Sequence, residues 1–292
     1  MSGRVARVAA HAKLNLFLRV LAREQDGYHS IETLFARIAL ADDVTVHVDT
    51  RGRTIDCGGA DVGPPAQNLA FRAAEAFRAA TGWPEGFHIE IVKRIPAGGG
   101  LGGGSADAGA VLRALAALAP EPVLGDALLR MAMPLGSDVP FLTTTAPWAL
   151  AWGRGERLLA IAPLRARPVV LALPPFAVST ASAYEWLAAT RTHGARQPAL
   201  LTLEALRSWE HVAALATNDF EPVVCERHPQ IAAIIAHLRR AGSACATISG
   251  SGSTVFGLFA QAPDSALLQQ TLDVPVMPTR TLEQIEPVDV MA

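Results

Sequence analysis

From Pro96 to Gly109 the chain runs PAGGGLGGGSADAG, and six of the seven residues 98–104 are glycine, interrupted only by Leu101. Glycine costs backbone entropy on folding, so a cluster this dense belongs where the chain must take positive φ or press its backbone against a ligand. Beyond it, Ala106, Ala110, Leu112, Leu115 and Leu118 keep roughly a 3.6 period until Pro120, which predicts a helix. A glycine loop feeding a helix N-terminus offers unpaired N–H groups and the positive end of the helix dipole, chemistry suited to phosphate. No Gly-Lys pair occurs anywhere, so this is not a Walker loop.

Of the 25 Lys and Arg residues only Lys13 and Lys93 are lysine. A site that needs a compact ammonium with movable donors cannot take a guanidinium fork, so both are candidates for chemistry. Lys93 lies just upstream of the glycine loop. Lys13 opens KLNLFLRV, an alternating strand with Lys13, Asn15, Phe17 and Arg19 on one face. In MPLGSDVPF, Asp138 is either a turn residue or a carboxylate placed to orient a hydroxyl and accept its proton. Asp26 and Gly27 signal a tight turn; Tyr28 and His29 beside it either flank a hairpin or hold a flat heterocycle by stacking and hydrogen bonding. Asn68 caps a helix over 68–80 or, alternatively, meets a nucleotide.

The elements that must position these residues follow from pattern. Residues 87–95, FHIEIVKRI, alternate between an apolar and a mixed face, which predicts an antiparallel sheet with one wet face rather than the doubly buried first strand of a dinucleotide fold. Gly98, Gly100 and Gly103 do satisfy a GxGxxG spacing, but Glu121, the acidic residue near the required distance, lies between prolines beyond the helix. Strands are expected at 30–39 and 44–48, with Asp42 and Asp43 between them, and at 168–173 and 274–277. Helices are expected at 126–133, 180–189, 203–215, 230–240 and 266–272, with Gly242 capping the fourth. Two strands flank SGSGS at 249–253, either a hairpin turn or a partner for the first glycine loop. The chain crosses into a second domain around 148–158, giving domains 1–155 and 156–292 of α+β class.

Half the residues are hydrophobic and 18% are charged, the composition of a globular protein. A net charge of -2 supplies no basic footprint for nucleic acid. No apolar run reaches the roughly 18 residues of a membrane helix. Cys57, Cys225 and Cys245 form no CxxC pair, in keeping with a reducing compartment, so a cytoplasmic location is expected. The basic N-terminus has the look of a transit peptide, yet the chain from Ala12 reads as folded, leaving little to cleave.

Separated stretches resemble the GHMP small-molecule kinases: IPAGGGLGGGSADA their phosphate loop and ISGSGSTVFGLF their C-terminal motif. Within that family AKLNLFLRV, with DGYH at 26–29, LGSDVPF at 135–141 and VSTASAY at 178–184, is similar to the branch acting on 4-diphosphocytidyl-2-C-methyl-D-erythritol. The resemblance implies an N-terminal α+β domain, a C-terminal ferredoxin-like domain and an active site in the cleft between them. It implies ATP-dependent phosphorylation of a methylerythritol hydroxyl, with Asp138 as base and Lys13 as its partner. Tyr28, His29 and Tyr184 would hold the cytosine, and Asn15 would contact substrate. The backbone of Pro96, Ala97, Gly98, Gly99, Gly100, Leu101, Gly102, Gly103, Gly104, Ser105 and Ala106 would hold the ATP phosphates, with Ser105 near Mg2+ and Asn68 and Lys93 near the nucleotide. Ala106 stands where many relatives carry serine, removing a hydroxyl from the metal's surroundings. The expected partner is a small molecule, and the expected state a monomer or weak homodimer.

Overall fold

The computed structural model describes residues 4–23, 29–58, 64–190 and 201–291. Its strands are β1 (Val5–Arg23), β2 (His29–Val48), β3 (Arg53–Asp56), β4 (Phe87–Val92), β5 (Trp148–Gly153), β6 (Arg157–Ile161), β7 (Pro168–Ala172), β8 (Cys245–Ile248), β9 (Val255–Leu258), β10 (Val276–Arg280) and β11 (Asp289–Met291). Its helices are α1 (Leu69–Thr81), α2 (Gly103–Leu118), α3 (Gly125–Ala132), α4 (Val139–Thr143), α5 (Thr180–Thr190), α6 (Trp209–Leu215), α7 (Glu221–Arg227), α8 (Pro229–Arg240) and α9 (Ser265–Thr271).

The long antiparallel pair β1–β2 is the spine. It lies in a seven-stranded sheet of order β11-β1-β2-β4-β3, and the β5–β6 hairpin pairs with the first half of β2. Along β1, Ala6, Val8 and Ala10 are buried while Arg7 is exposed, but every residue from His11 to Val20 is buried. The central part of the strand is thus covered on both faces. Helix α2 explains one of them: it is buried all round from Ala106 to Leu115 and packs on β1 and β2. Its Gly109 allows α4 to cross closely, because a side chain there would come within 2.4 Å of the Leu142 carbonyl oxygen.

The smaller sheet, of order β10-β7-β9-β8, alternates between two cores. Val169 and Leu171 face the core of the larger sheet, while Val170 and Ala172 join a second core with Ile234, Ile235 and Leu238 of α8. Leu18, Val20 and Ile31 from the β1–β2 end also enter that second core, which couples the spine to the C-terminal half.

Several boundaries differ from the sequence-based expectation. Residues 30–39 and 44–48 are one continuous strand, because Asp42 and Asp43 do not turn the chain. Asp42 is wholly buried and accepts from Lys93 Nζ and from the Arg94 and Ile95 N–H groups, and Asp43 pairs with Arg94. The same carboxylate ends β4 at Val92, since it takes the N–H groups that would otherwise extend the ladder. The sheet boundary falls beyond 155: β6 pairs with β5 in the larger sheet, and β11 returns to pair with β1. The helix expected over 203–215 is broken into a 3-10 turn, Glu204–Leu206, and α6, because Ser208 caps α6 by accepting from the His211 N–H.

Candidate active site

The chain leaves β4, runs through the glycine loop and enters α2. Gly98, Gly100 and Gly102 take φ of 71°, 79° and 74°, a left-handed conformation at every second residue. At Gly100 a side chain is excluded twice over, since a Cβ would lie 2.0 Å from the Ser249 carbonyl oxygen. Leu101, the one interruption, is buried in the core and its carbonyl accepts the Lys13 N–H at 3.0 Å. The apolar side chain therefore anchors a loop whose rim stays open: Ala97, Gly98 and Gly104 are exposed, Pro96 and Ser105 half-buried, and Gly99 and Ala106 buried. No side chain caps α2, so its first N–H groups are available to an anion.

The second glycine-serine turn docks on this loop. Ser249 Oγ donates to the Gly100 carbonyl at 2.9 Å, and the Thr254 N–H donates to the Gly99 carbonyl at 3.3 Å. Both sequence-based alternatives for 249–253 are realised: the segment is the turn of the antiparallel β8–β9 hairpin, and it docks on the first glycine loop.

Lys13 lies between the two loops. Its side chain is 3% exposed, and Nζ stands 2.6 Å from Asn15 Oδ1 and 3.4 Å from Asp138 Oδ2. A side chain at Gly102 would come 3.2 Å from the lysine stem, and one at Gly250 3.5 Å from Nζ. Asp138 precedes α4 and is a quarter exposed, so its carboxylate faces the opening with the ammonium behind it. Asn15 is buried and already engaged: Oδ1 also accepts the Gly250 N–H at 2.9 Å, and Nδ2 donates to Thr33 Oγ1 at 2.9 Å. In this structure it orients Lys13 and ties β1 to the second turn.

Tyr184 and His29 stack on each other, with centroids 4.5 Å apart and planes 17° from parallel. At this separation the two rings cover each other's facing sides, so no base lies between them, and Phe220 packs edge-on against Tyr184 at 4.9 Å. Burial, with Asp138 adding to it, pushes the Tyr184 phenol up to about 12, so the ring lies within the field of the carboxylate. Tyr28 lies outside the described residues. Asn68 is the N-cap of α1, its Oδ1 accepting from the Ala70 and Phe71 N–H groups at 2.9 and 3.4 Å. Lys93 bridges Asp42 and Asp107. Both residues are held by protein partners.

The arrangement brings a carboxylate, an ammonium and a phosphate cradle together, and the sequence relatives share its parts. Residues 68–145 match the GHMP kinases N terminal domain, and residues 202–272 match the GHMP kinases C terminal domain. A 4-diphosphocytidyl-2-C-methyl-D-erythritol kinase of a Geobacter species is 39% identical over 254 residues, covering 87% of this chain and 89% of that protein. One from Moorella thermoacetica is 38% identical over 286 residues, covering 95% and 99%. The chain belongs to the 4-diphosphocytidyl-2-C-methyl-D-erythritol kinases of the GHMP family. A crystal structure of 4-(cytidine 5'-diphospho)-2C-methyl-D-erythritol kinase is 35% identical with a TM-score of 0.77, covering 94% of this chain and 98% of that one. Homoserine kinase from Cytophaga hutchinsonii, 16% identical with a TM-score of 0.70 over 100% and 98% of the two chains, shares the fold.

Among the described residues no three His, Cys, Asp or Glu side chains converge, as a metal held by protein alone would need. Magnesium is commonly held by substrate phosphates with one or two carboxylates; at the start of α2 the half-buried Ser105 offers a hydroxyl oxygen.

Sequence pattern alone missed four supporting residues of this kinase. Asn218 Nδ2 donates to the carbonyls of Ile248 and Gly250 at 2.9 and 2.8 Å, and Asp219 Oδ2 accepts the Val20 N–H at 2.9 Å. Arg37 holds the far end of α4, and Thr33 holds Asn15. The signal for the first two was an Asn-Asp pair just ahead of a Glu-Pro helix start.

Proposed function

We propose that this chain transfers the γ-phosphoryl group of ATP to the 2-hydroxyl of 4-diphosphocytidyl-2-C-methyl-D-erythritol, a step of the non-mevalonate isoprenoid route. The observation that carries the reading is the Lys13–Asp138 pair, 3.4 Å apart, beside a loop whose backbone is free to bind phosphate. Phosphoryl transfer asks chiefly for positioning and charge stabilisation. The acceptor hydroxyl oxygen attacks the γ-phosphorus as its proton passes to Asp138, and the bond to the bridging oxygen breaks to release ADP. Lys13 stabilises the oxygen as it loses its proton and holds the carboxylate in line. The backbone from Pro96 to Ala106 binds the phosphates. Ser105 would hold magnesium, whose charge, when bound, offsets that of the phosphate oxygens.

The His29–Tyr184 stack favours an acceptor that carries a base over mevalonate or homoserine, which offer no ring to stack. A cytoplasmic monomer or weak dimer is part of the same reading. The test is ATP consumption by the purified protein with magnesium, offering the cytidyl compound, mevalonate and homoserine in parallel and identifying product by phosphorus NMR. Turnover of the cytidyl compound alone is expected; turnover of another acceptor only would remove the cytosine site.

A further inference from the structure

Beneath the glycine loop lies a charge cluster that touches neither Lys13 nor Asp138. Lys93 Nζ donates to Asp107 Oδ2 at 2.6 Å and to Asp42 Oδ2. Asp42 is wholly buried, and its other oxygen binds the Arg94 and Ile95 N–H groups, the last two before the loop begins. Asp107 is 5% exposed on α2, one turn beyond the loop, and its Oδ1 has no hydrogen-bond partner. A side chain at Gly103, the first residue of α2, would come 3.7 Å from Lys93 Nζ. One ammonium therefore serves two buried carboxylates directly under a loop suited to anions.

We propose that Lys93 sustains ATP affinity without contacting the nucleotide, by neutralising Asp107 and Asp42 beneath the phosphate loop and joining the chain entering the loop to the helix leaving it. Lys93 is thus a positioning residue. The electrostatics agree. Burial alone would lower the Lys93 ammonium, but Asp107 and Asp42 outweigh it and raise it. Burial pushes Asp107 up to about 7, Lys93 opposing that shift and Asp42 adding to it. Removing the cation leaves Asp42, together with the ionised fraction of Asp107, as uncompensated buried charge of the same sign as the ligand. A lysine that touched ATP directly would behave otherwise, since its loss could not be repaired by removing a carboxylate.

The proposal rests on ATP binding at the loop, and the experiment separates the two. The dissociation constant of a non-hydrolysable ATP analogue with magnesium is measured by calorimetry for wild type, Lys93→Met, Asp107→Asn and the double variant. Wild-type binding is expected; its absence would overturn the functional reading rather than the role of Lys93. Lys93→Met is expected to bind about tenfold or more weakly, and the double variant to recover to within about threefold of wild type. A double variant no better than Lys93→Met would overturn the proposal. Should Lys93→Met not fold, Asp107→Asn alone decides: affinity equal to wild type or up to about threefold tighter is expected, and a tenfold loss would overturn it.

Discussion

Lys13 and Arg37 are direct partners across β1 and β2, and they hold opposite ends of the same short helix, α4. Lys13 pairs with Asp138 just ahead of the helix, while Arg37 donates to the carbonyls of Phe141, Thr144 and Ala146 at its far end, at 2.8, 2.7 and 3.2 Å. The guanidinium is fully buried, lies over the Phe141 ring and has carbonyls rather than a carboxylate as partners. One strand pair thereby fixes both the position of the proposed base and the charge beside it.

Arg37→Met should therefore reduce kcat about tenfold or more, because displacing a reacting group by an ångström costs up to about 100-fold. It should also destabilise the fold by about 3 kcal/mol through the carbonyls left unpaired. Initial rates at saturating ATP and acceptor check the first, and urea unfolding the second. In an Asp138→Asn background the Arg37 change should produce no further loss of kcat. An equal loss in both backgrounds would mean that Arg37 does not act through Asp138.

His11, buried against the Ile38 carbonyl, gives a pH dependence of stability. Burial, then Arg37 and Arg113, lower its imidazole to about 4, against 6.5 in the unfolded chain. Between those values the unfolded state binds the proton and the native state does not, so stability falls as pH drops from 6.5 to 4. The shift corresponds to about 3 kcal/mol. Urea midpoints at pH 7 and pH 4.5 should converge more closely for His11→Asn than for wild type; equal losses would rule His11 out as the source.

Gly100→Ala should fail at the phosphate loop specifically. Its φ of 79° and the 2.0 Å approach to the Ser249 carbonyl leave no room for Cβ, so the two loops must part. Strain of roughly 1–3 kcal/mol is expected, with ATP affinity falling at least tenfold in calorimetry. Wild-type affinity would show that the loops need not touch.

Tyr184→Ala should raise KM for the cytidyl substrate roughly tenfold with little change in KM for ATP, since aromatic stacking on a base is worth about 1–3 kcal/mol. Steady-state kinetics with each substrate varied in turn check the split.

The chemistry was legible in the sequence where it was local. The glycine loop feeding α2, the alternation that aligns Lys13 with Asn15, and the cap at Asn68 depend on neighbours within a few residues. What was not legible depends on distant partners. Asp42 and Asp43 carry turn character, yet Lys93 and Arg94, about fifty residues on, absorb both carboxylates and keep β2 straight. Strand β11 pairs with β1 across almost the whole chain, a closure no local pattern announces. Lys93 was singled out by the scarcity of lysine, but its carboxylate partners could be seen only once β2, β4 and α2 were packed together.

The most direct measurement is the turnover of Asp138→Asn alongside calorimetric binding of the cytidyl substrate. A fall in kcat of about 100-fold or more, with the dissociation constant within about threefold of wild type, is expected of a general base. Wild-type kcat in the variant would contradict the catalytic role of Asp138 and, with it, the mechanism built on the Lys13–Asp138 pair.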